Sequence, residues 1–218
     1  LVAVTAYRPE NFSSLSQDTT KGISAEKYQA CIDKNKKLPH NFYSATFLSD
    51  GFRVKGIIAI PKDESQKLTP LVVAIRGGNR EFSRWYACNL DLISDLYGGK
   101  GKRAVFAVQL RQAAGSEGKD EFGGGEVTDV TEAISISKSL PNVDSKNIFL
   151  AGWSRGGFEV YNTLRKSPSV NAAISIAGMS DLQRWLLSRA DMQQDFEEMI
   201  PNYKLNPQGE LLMRSAVQ

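Results

Sequence analysis

The chain has 218 residues, 41% of them hydrophobic and 23% charged, and its formal net charge of +3 is spread along its length. That size suits one domain with a sizeable core. The lack of a basic block or acidic tail gives no reason to expect nucleic acid as a partner. Apolar runs are only a few residues long, against the ~20 needed to cross a bilayer, so no membrane span is expected.

Residues Leu1 to Ala6 are too short for a signal peptide, and without an opening Met the start reads as trimmed. Residues 1–41 are polar and uneven. They read as an N-terminal extension holding one helix from about Ser24 to Lys37. Cys31 and Cys88 show no metal-ligand spacing and are expected as two buried thiols, with a single disulfide as the alternative. Nothing in the chain points to a metal or an organic cofactor.

From Phe42 the pattern changes. Tyr43–Leu48 and Phe52–Ile60 flank Ser49-Asp50-Gly51, and an Asp-Gly step between alternating segments predicts a hairpin. Four nearly continuous apolar runs follow, at Leu71–Ile75, Ala104–Val108, Ile148–Ala151 and Ala172–Ala177. Such runs suit strands buried on both faces of a parallel sheet. Tyr86, Leu90, Ile93 and Tyr97 recur at helical spacing between the first two. Val127, Val130 and Ile134 do so between the second and third. Helices are also expected over Arg155–Lys166 and from about Asp181 to Ile200. The sum is an α/β fold: a three-layer sandwich with a mostly parallel sheet and an N-terminal antiparallel hairpin.

Gly152-Trp153-Ser154-Arg155-Gly156-Gly157 lies directly after the third of these strands and opens a helix. A serine there stands on a sharp, strained turn, so its neighbours two residues either side must be small, and its Oγ projects above the sheet. The next backbone N–H, that of Arg155, sits at a helix N-terminus and suits an oxyanion. After the first parallel strand, Arg76-Gly77-Gly78-Asn79 offers a second donor, with Gly78 the candidate and Asn79 next. The expected site residues are therefore Ser154 as nucleophile with Gly78 and Arg155 as oxyanion or substrate contacts.

These stretches, with the loop Gly115–Gly124, Asp129, Asp144 and Arg214-Ser215-Ala216, resemble the catalytic domain of the prolyl-oligopeptidase-like serine hydrolases, the S9 peptidases and their esterase relatives. The resemblance runs from about Phe42 to Gln218. It implies an α/β-hydrolase whose acid follows a seventh strand and whose histidine follows an eighth. It also implies a His before the glycine pair, where this chain has Arg76. No residue after Ser154 is His. Residues 42–218 therefore read as an incomplete catalytic domain lacking its last two strands, with Arg214-Ser215-Ala216 leading into the seventh.

Other candidates carry plainer readings. His40 precedes a strand four places from the elbow strand, roughly 19 Å away at ~4.8 Å per strand, too far for a base that must come within about 3.2 Å, so it reads as a surface or loop histidine. Asp181 reads as a helix cap. Trp185, Leu186 and Leu187 would either wall a pocket or pack a helix on the body. The Arg155 side chain would face solvent or pair with an acid, with a substrate carboxylate as the alternative.

The expected activity is hydrolysis of a small ester or peptide through a Ser154 acyl-enzyme. The alternative is a truncated, non-catalytic hydrolase fold serving as an interaction module. Ending the sheet at Ala172–Ala177 would leave an apolar edge, which would either pair with a second copy in a homodimer or be covered by residues 181–218.

Overall fold

The computed structural model describes residues 1–17, 19–63, 65, 68–166 and 168–217. Its centre is a seven-stranded sheet in the order β1-β2-β3-β5-β4-β6-β7. The strands are β1 (Ala3–Ala6), β2 (His40–Ser49), β3 (Phe52–Pro61), β4 (Thr69–Ile75), β5 (Ala104–Val108), β6 (Val143–Trp153) and β7 (Ala172–Ile176). β1, β2 and β3 run antiparallel to their neighbours, while β5, β4, β6 and β7 are mutually parallel.

The expected hairpin is β2–β3. Ser49 pairs with Phe52, and Asp50 and Gly51 both take positive φ, 49° and 82°. Two left-handed central residues match the twist of the flanking strands. The segment expected as an extension supplies the edge strand β1, which pairs with Tyr43–Thr46. It also supplies helix α1 (Ala25–Asn35), capped by the Ser24 side chain, which accepts from the Lys27 N–H.

β7, expected to be buried on both faces, alternates between exposed and half-buried positions. Both faces of the central parallel strands β4 and β5 are buried, with side chains alternating between them. On one face Leu71, Val73, Ile75, Phe106 and Ile148 pack under α3 (Glu126–Ser137) and α4 (Arg155–Arg165). On the other, Val72, Ala74, Val105 and Ala107 meet Leu90, Ile93 and Tyr97. The helical segment carrying these last three is irregular: a 3-10 turn at Ala87–Asn89, a single turn α2 (Leu90–Leu92) and a π turn at Ile93–Tyr97.

The stretch expected as one helix from Asp181 to Ile200 is broken into α5 (Leu182–Ser188), a 3-10 turn at Ala190–Met192 and α6 (Gln193–Met199). Arg189, at φ −135° and ψ 54°, leaves the helical region, and the break lets Met192 and Phe196 turn inward onto Phe122 and Phe158. Asp181 caps α5 by accepting from the Arg184 N–H at 3.0 Å. Arg214 ends α7 (Pro207–Arg214), and the Ala216 N–H donates to the Ser180 carbonyl. Residues 181–217 pack around Phe122 and Phe158 rather than over β7, whose Ile174 and Ile176 are 60% and 40% exposed at the sheet's end.

Cys31 and Cys88 form a disulfide, which corrects the expectation of two thiols. It ties α1 to the turn after Tyr86, where Asn35 also donates to the Ala87 carbonyl at 2.8 Å. The bridge closes a loop across a sequence separation of 57. Replacing both cysteines by serine is expected to cost roughly 2–4 kcal/mol in urea unfolding, because the unfolded chain regains the freedom the bridge removes. An unchanged midpoint would show that α1 is held without it.

Candidate active site

The chain leaves β4 to form β5 on one side and later returns to form β6 on the other. Above the carboxyl ends of β4 and β6 lies the point where the order reverses, a place where α/β sheets open a crevice. Ile75 pairs with Gly152 there, so the loop after β4 and the turn after β6 emerge side by side.

Ser154 has φ 54° and ψ −119°. A left-handed, non-glycine residue between a strand and a helix is the strained conformation that the glycine spacing predicts. The glycines are sterically required. A Cβ on Gly152 would lie 2.1 Å from the Gly156 carbonyl oxygen, and one on Gly156 would lie 2.2 Å from that of Ile75. A Cβ on Gly157 would reach 2.9 Å from Gly178 Cα. The turn is pinned by the Ser154 N–H donating to the Ile176 carbonyl at 2.8 Å.

Gly77 packs against the same turn, since a Cβ there would lie 3.1 Å from the Trp153 oxygen and 4.0 Å from Ser154 Oγ. Gly78 takes φ 70°. Two clefts of about 390 Å³ each meet at Ser154 and Gly78. One is walled by Phe122, Met179, Trp185 and Met192 and carries Arg189 and Asp195 at its polar end. The other is walled by Trp85, Tyr86, Tyr97 and Trp153.

This architecture recurs in known hydrolases, and the sequence profile of the prolyl oligopeptidase family, peptidase S9, matches residues 112–211. The chain has an α/β-hydrolase fold and is similar to the prolyl oligopeptidase family over those residues. It is 27% identical over 159 residues to the uncharacterized peptidase YtmA of Bacillus subtilis, covering 72% of this chain and 59% of that protein. The fold is similar to a puromycin hydrolase at TM-score 0.68 and 18% identity, over 81% of this chain and 28% of that one. It is also similar to the hyperthermophilic esterase of Pyrobaculum calidifontis at TM-score 0.62 and 18% identity, over 88% of this chain and 66% of the esterase.

The Arg155 side chain is turned inward and 2% exposed. Its Nε donates to Glu159 Oε1 at 2.9 Å, Nη2 to Asp120 Oδ1 at 2.7 Å, and Nη1 to Asn79 Oδ1 at 3.0 Å. Nη2 also donates to Glu126, and the guanidinium lies over the Phe122 ring at 4.2 Å. The side chain is thus committed to acids inside the protein, and a substrate carboxylate is not its partner. α4 begins at Arg155, directly after Ser154, and the first amides of a helix lack intrahelical acceptors.

Three carboxyls around one guanidinium cannot all ionise freely. Burial alone would raise Asp120, but the charge and hydrogen bond of Arg155 hold it at about 2. Burial first, and then the neighbouring Glu159, pushes Glu126 up to about 8. Glu126 therefore keeps its proton at neutral pH, while in the unfolded chain it ionises near 4.5. Its contribution to stability is complete below the unfolded value and is lost as pH rises through about 8. Glu126→Gln, a neutral mimic of the protonated acid, is expected to flatten the decline in melting temperature between pH 5 and 8 while matching the wild type near pH 5. Equal slopes in the two proteins would show that Glu126 is ionised. Glu159, also raised by burial, leaves part of the slope in place.

His40 is 1% exposed rather than at the surface. Its ring fills the space beside Gly98, with Nδ1 against Ser94 Oγ and Nε2 against the Arg103 carbonyl, each at 2.9 Å. Arg103 immediately precedes β5, so His40 lies at the amino ends of the parallel strands, the opposite end of the sheet from Ser154. Asp129 is buried, accepting from Arg111 Nη2 at 2.7 Å and Ser49 Oγ at 2.6 Å, and Asp144 closes its own turn by accepting from the Lys146 N–H. Both are structural. Leu187 is 87% exposed, whereas Trp185 lines the first cleft with Arg189 over its ring.

Proposed function

We propose that this chain carries the nucleophile and oxyanion machinery of a serine hydrolase acting on a small ester or peptide. Ser154 Oγ attacks the carbonyl carbon, the alcohol or amine departs with a proton, and water later releases the acid from the acyl-enzyme. The N–H groups of Arg155 and Gly78 receive the oxyanion. The strained backbone of Ser154 at the meeting point of two clefts carries the reading. The clefts would take the groups on either side of the scissile bond, one of them against an aromatic wall.

The chemistry also needs a base. His40 does not serve, so turnover at enzyme rates requires an imidazole from outside these residues. The same fact favours a second reading, a hydrolase fold that binds without cleaving. Prolonged incubation with excess fluorophosphonate, followed by peptide mapping, separates the two. The reagent forms a P–O bond to Ser154 and releases fluoride, with the proton passing to buffer. An adduct confined to Ser154, and absent when the protein is unfolded before the reagent is added, is expected. Labelling scattered over other serines would overturn the catalytic reading.

A further inference from the structure

The residue before the glycine pair is Arg76, among the largest fully buried side chains of the molecule. Its Nε donates to the Gln109 carbonyl at 2.6 Å. Nη1 donates to the carbonyls of Gly77 at 3.1 Å and Phe82 at 3.0 Å, with Gly78 O at 3.4 Å, and Nη2 donates to the Arg80 carbonyl at 2.7 Å. Among the described residues it makes no ion pair. A buried cation bonded only to main-chain oxygens is an unusual investment, and every oxygen but one belongs to the loop beside Ser154. Burial draws its pKa down to about 10, so it remains a guanidinium at neutral pH.

The loop needs such a holder. Gly78, Arg80 and Ser83 all take positive φ, at 70°, 50° and 58°, and two of them are not glycine. Strained residues persist only where surrounding contacts over-determine them. In a trans peptide the C=O of one residue and the N–H of the next point in opposite directions. Drawing the Gly77 carbonyl onto Nη1 therefore turns the Gly78 N–H away from Arg76. We propose that Arg76 is the positioning residue of the oxyanion loop, its buried fork gathering the loop carbonyls so that the Gly78 N–H is held toward the oxygen of a carbonyl under attack by Ser154. Five N–H donors in a plane can do this. A lysine ammonium or an imidazole cannot span the same set of acceptors.

The proposal rests on Ser154 being the nucleophile. The loop has other tethers, since the Arg80 N–H donates to Asp120 Oδ2 at 3.0 Å and Asn79 accepts from Arg155, so substitution at Arg76 should leave the fold standing. Arg76→Lys keeps the charge and loses the fork, whereas Arg76→Ala opens a space on the aromatic cleft that Arg76 lines. The measurement is the rate of Ser154 phosphonylation against reagent concentration, followed by intact mass, alongside a thermal melt. Losing one oxyanion donor costs 10²–10³, so a misdirected one is expected to lower the saturating rate about 10–100-fold in both variants. The half-saturating concentration should change little, and millimolar guanidinium ion should restore Arg76→Ala but not Arg76→Lys. A folded Arg76→Lys that labels within about twofold of wild type overturns the proposal and leaves the nucleophile intact. If Arg76→Ala does not fold, Arg76→Lys decides. Wild-type protein with no Ser154 adduct removes both the proposal and the reading beneath it.

Discussion

The polypeptide of these 218 residues is expected to turn over p-nitrophenyl acetate at a Ser154-dependent rate on the order of 10⁶-fold below that of a complete triad enzyme. The backbone strain and the clefts are in place, but among the described residues no imidazole lies beside the Ser154 hydroxyl, which stays protonated at neutral pH. His40 cannot relieve this. It is engaged at both ring nitrogens, its pKa is lowered by burial, and it sits at the far end of the sheet. What remains is the contribution of the oxyanion site and of substrate binding. The comparison is with Ser154→Ala. A serine-dependent rate of roughly 10 s⁻¹ would be ordinary enzyme turnover and would require a base among the residues described above.

The second large effect is on stability. Arg155→Met is expected to destabilise the fold by at least about 3–5 kcal/mol at pH 8, since removing one partner of a buried ion pair strands the other, and here Asp120, Glu126 and Glu159 are stranded together. That is a large share of the ~5–15 kcal/mol that holds a domain folded. The loss should shrink toward pH 5, where Glu126 and Glu159 hold protons more readily and less negative charge is left unpaired. Urea midpoints at the two pH values measure it. A loss below about 1 kcal/mol at pH 8 would mean that solvent reaches the cluster.

Much of this arrangement is legible in the sequence, because it depends on local rules. Asp50-Gly51 fixes the hairpin register, the four apolar runs mark the parallel strands, and the glycines around Ser154 announce the elbow through the space that they leave. The rest depends on contacts between distant segments. Two cysteines carry no sign of their pairing when α1 and the turn after Tyr86 are brought together only by the fold. Glu126 and Glu159 look like solvent-facing acids on helices, and only the four-residue spacing of Arg155 and Glu159 hints that one cation gathers them. Arg76 stands out in the sequence as a departure from the family's histidine. Its five carbonyl acceptors become visible once the loop closes over it. The break at Arg189 is equally non-local, being set by the inward turn of Met192 and Phe196.

The central claim is that Ser154 is the group that takes the acyl chain. With neither acylation nor deacylation assisted by a base, an activated ester should load the serine slowly and leave it slowly, so the intermediate accumulates. The polypeptide is incubated for hours with a p-nitrophenyl ester, quenched in acid and mapped by tandem mass spectrometry. One acyl group on Ser154, absent from Ser154→Ala and from unfolded protein, is the predicted result. Acyl groups on lysines and the amino terminus alone, with Ser154 unmodified, would contradict it.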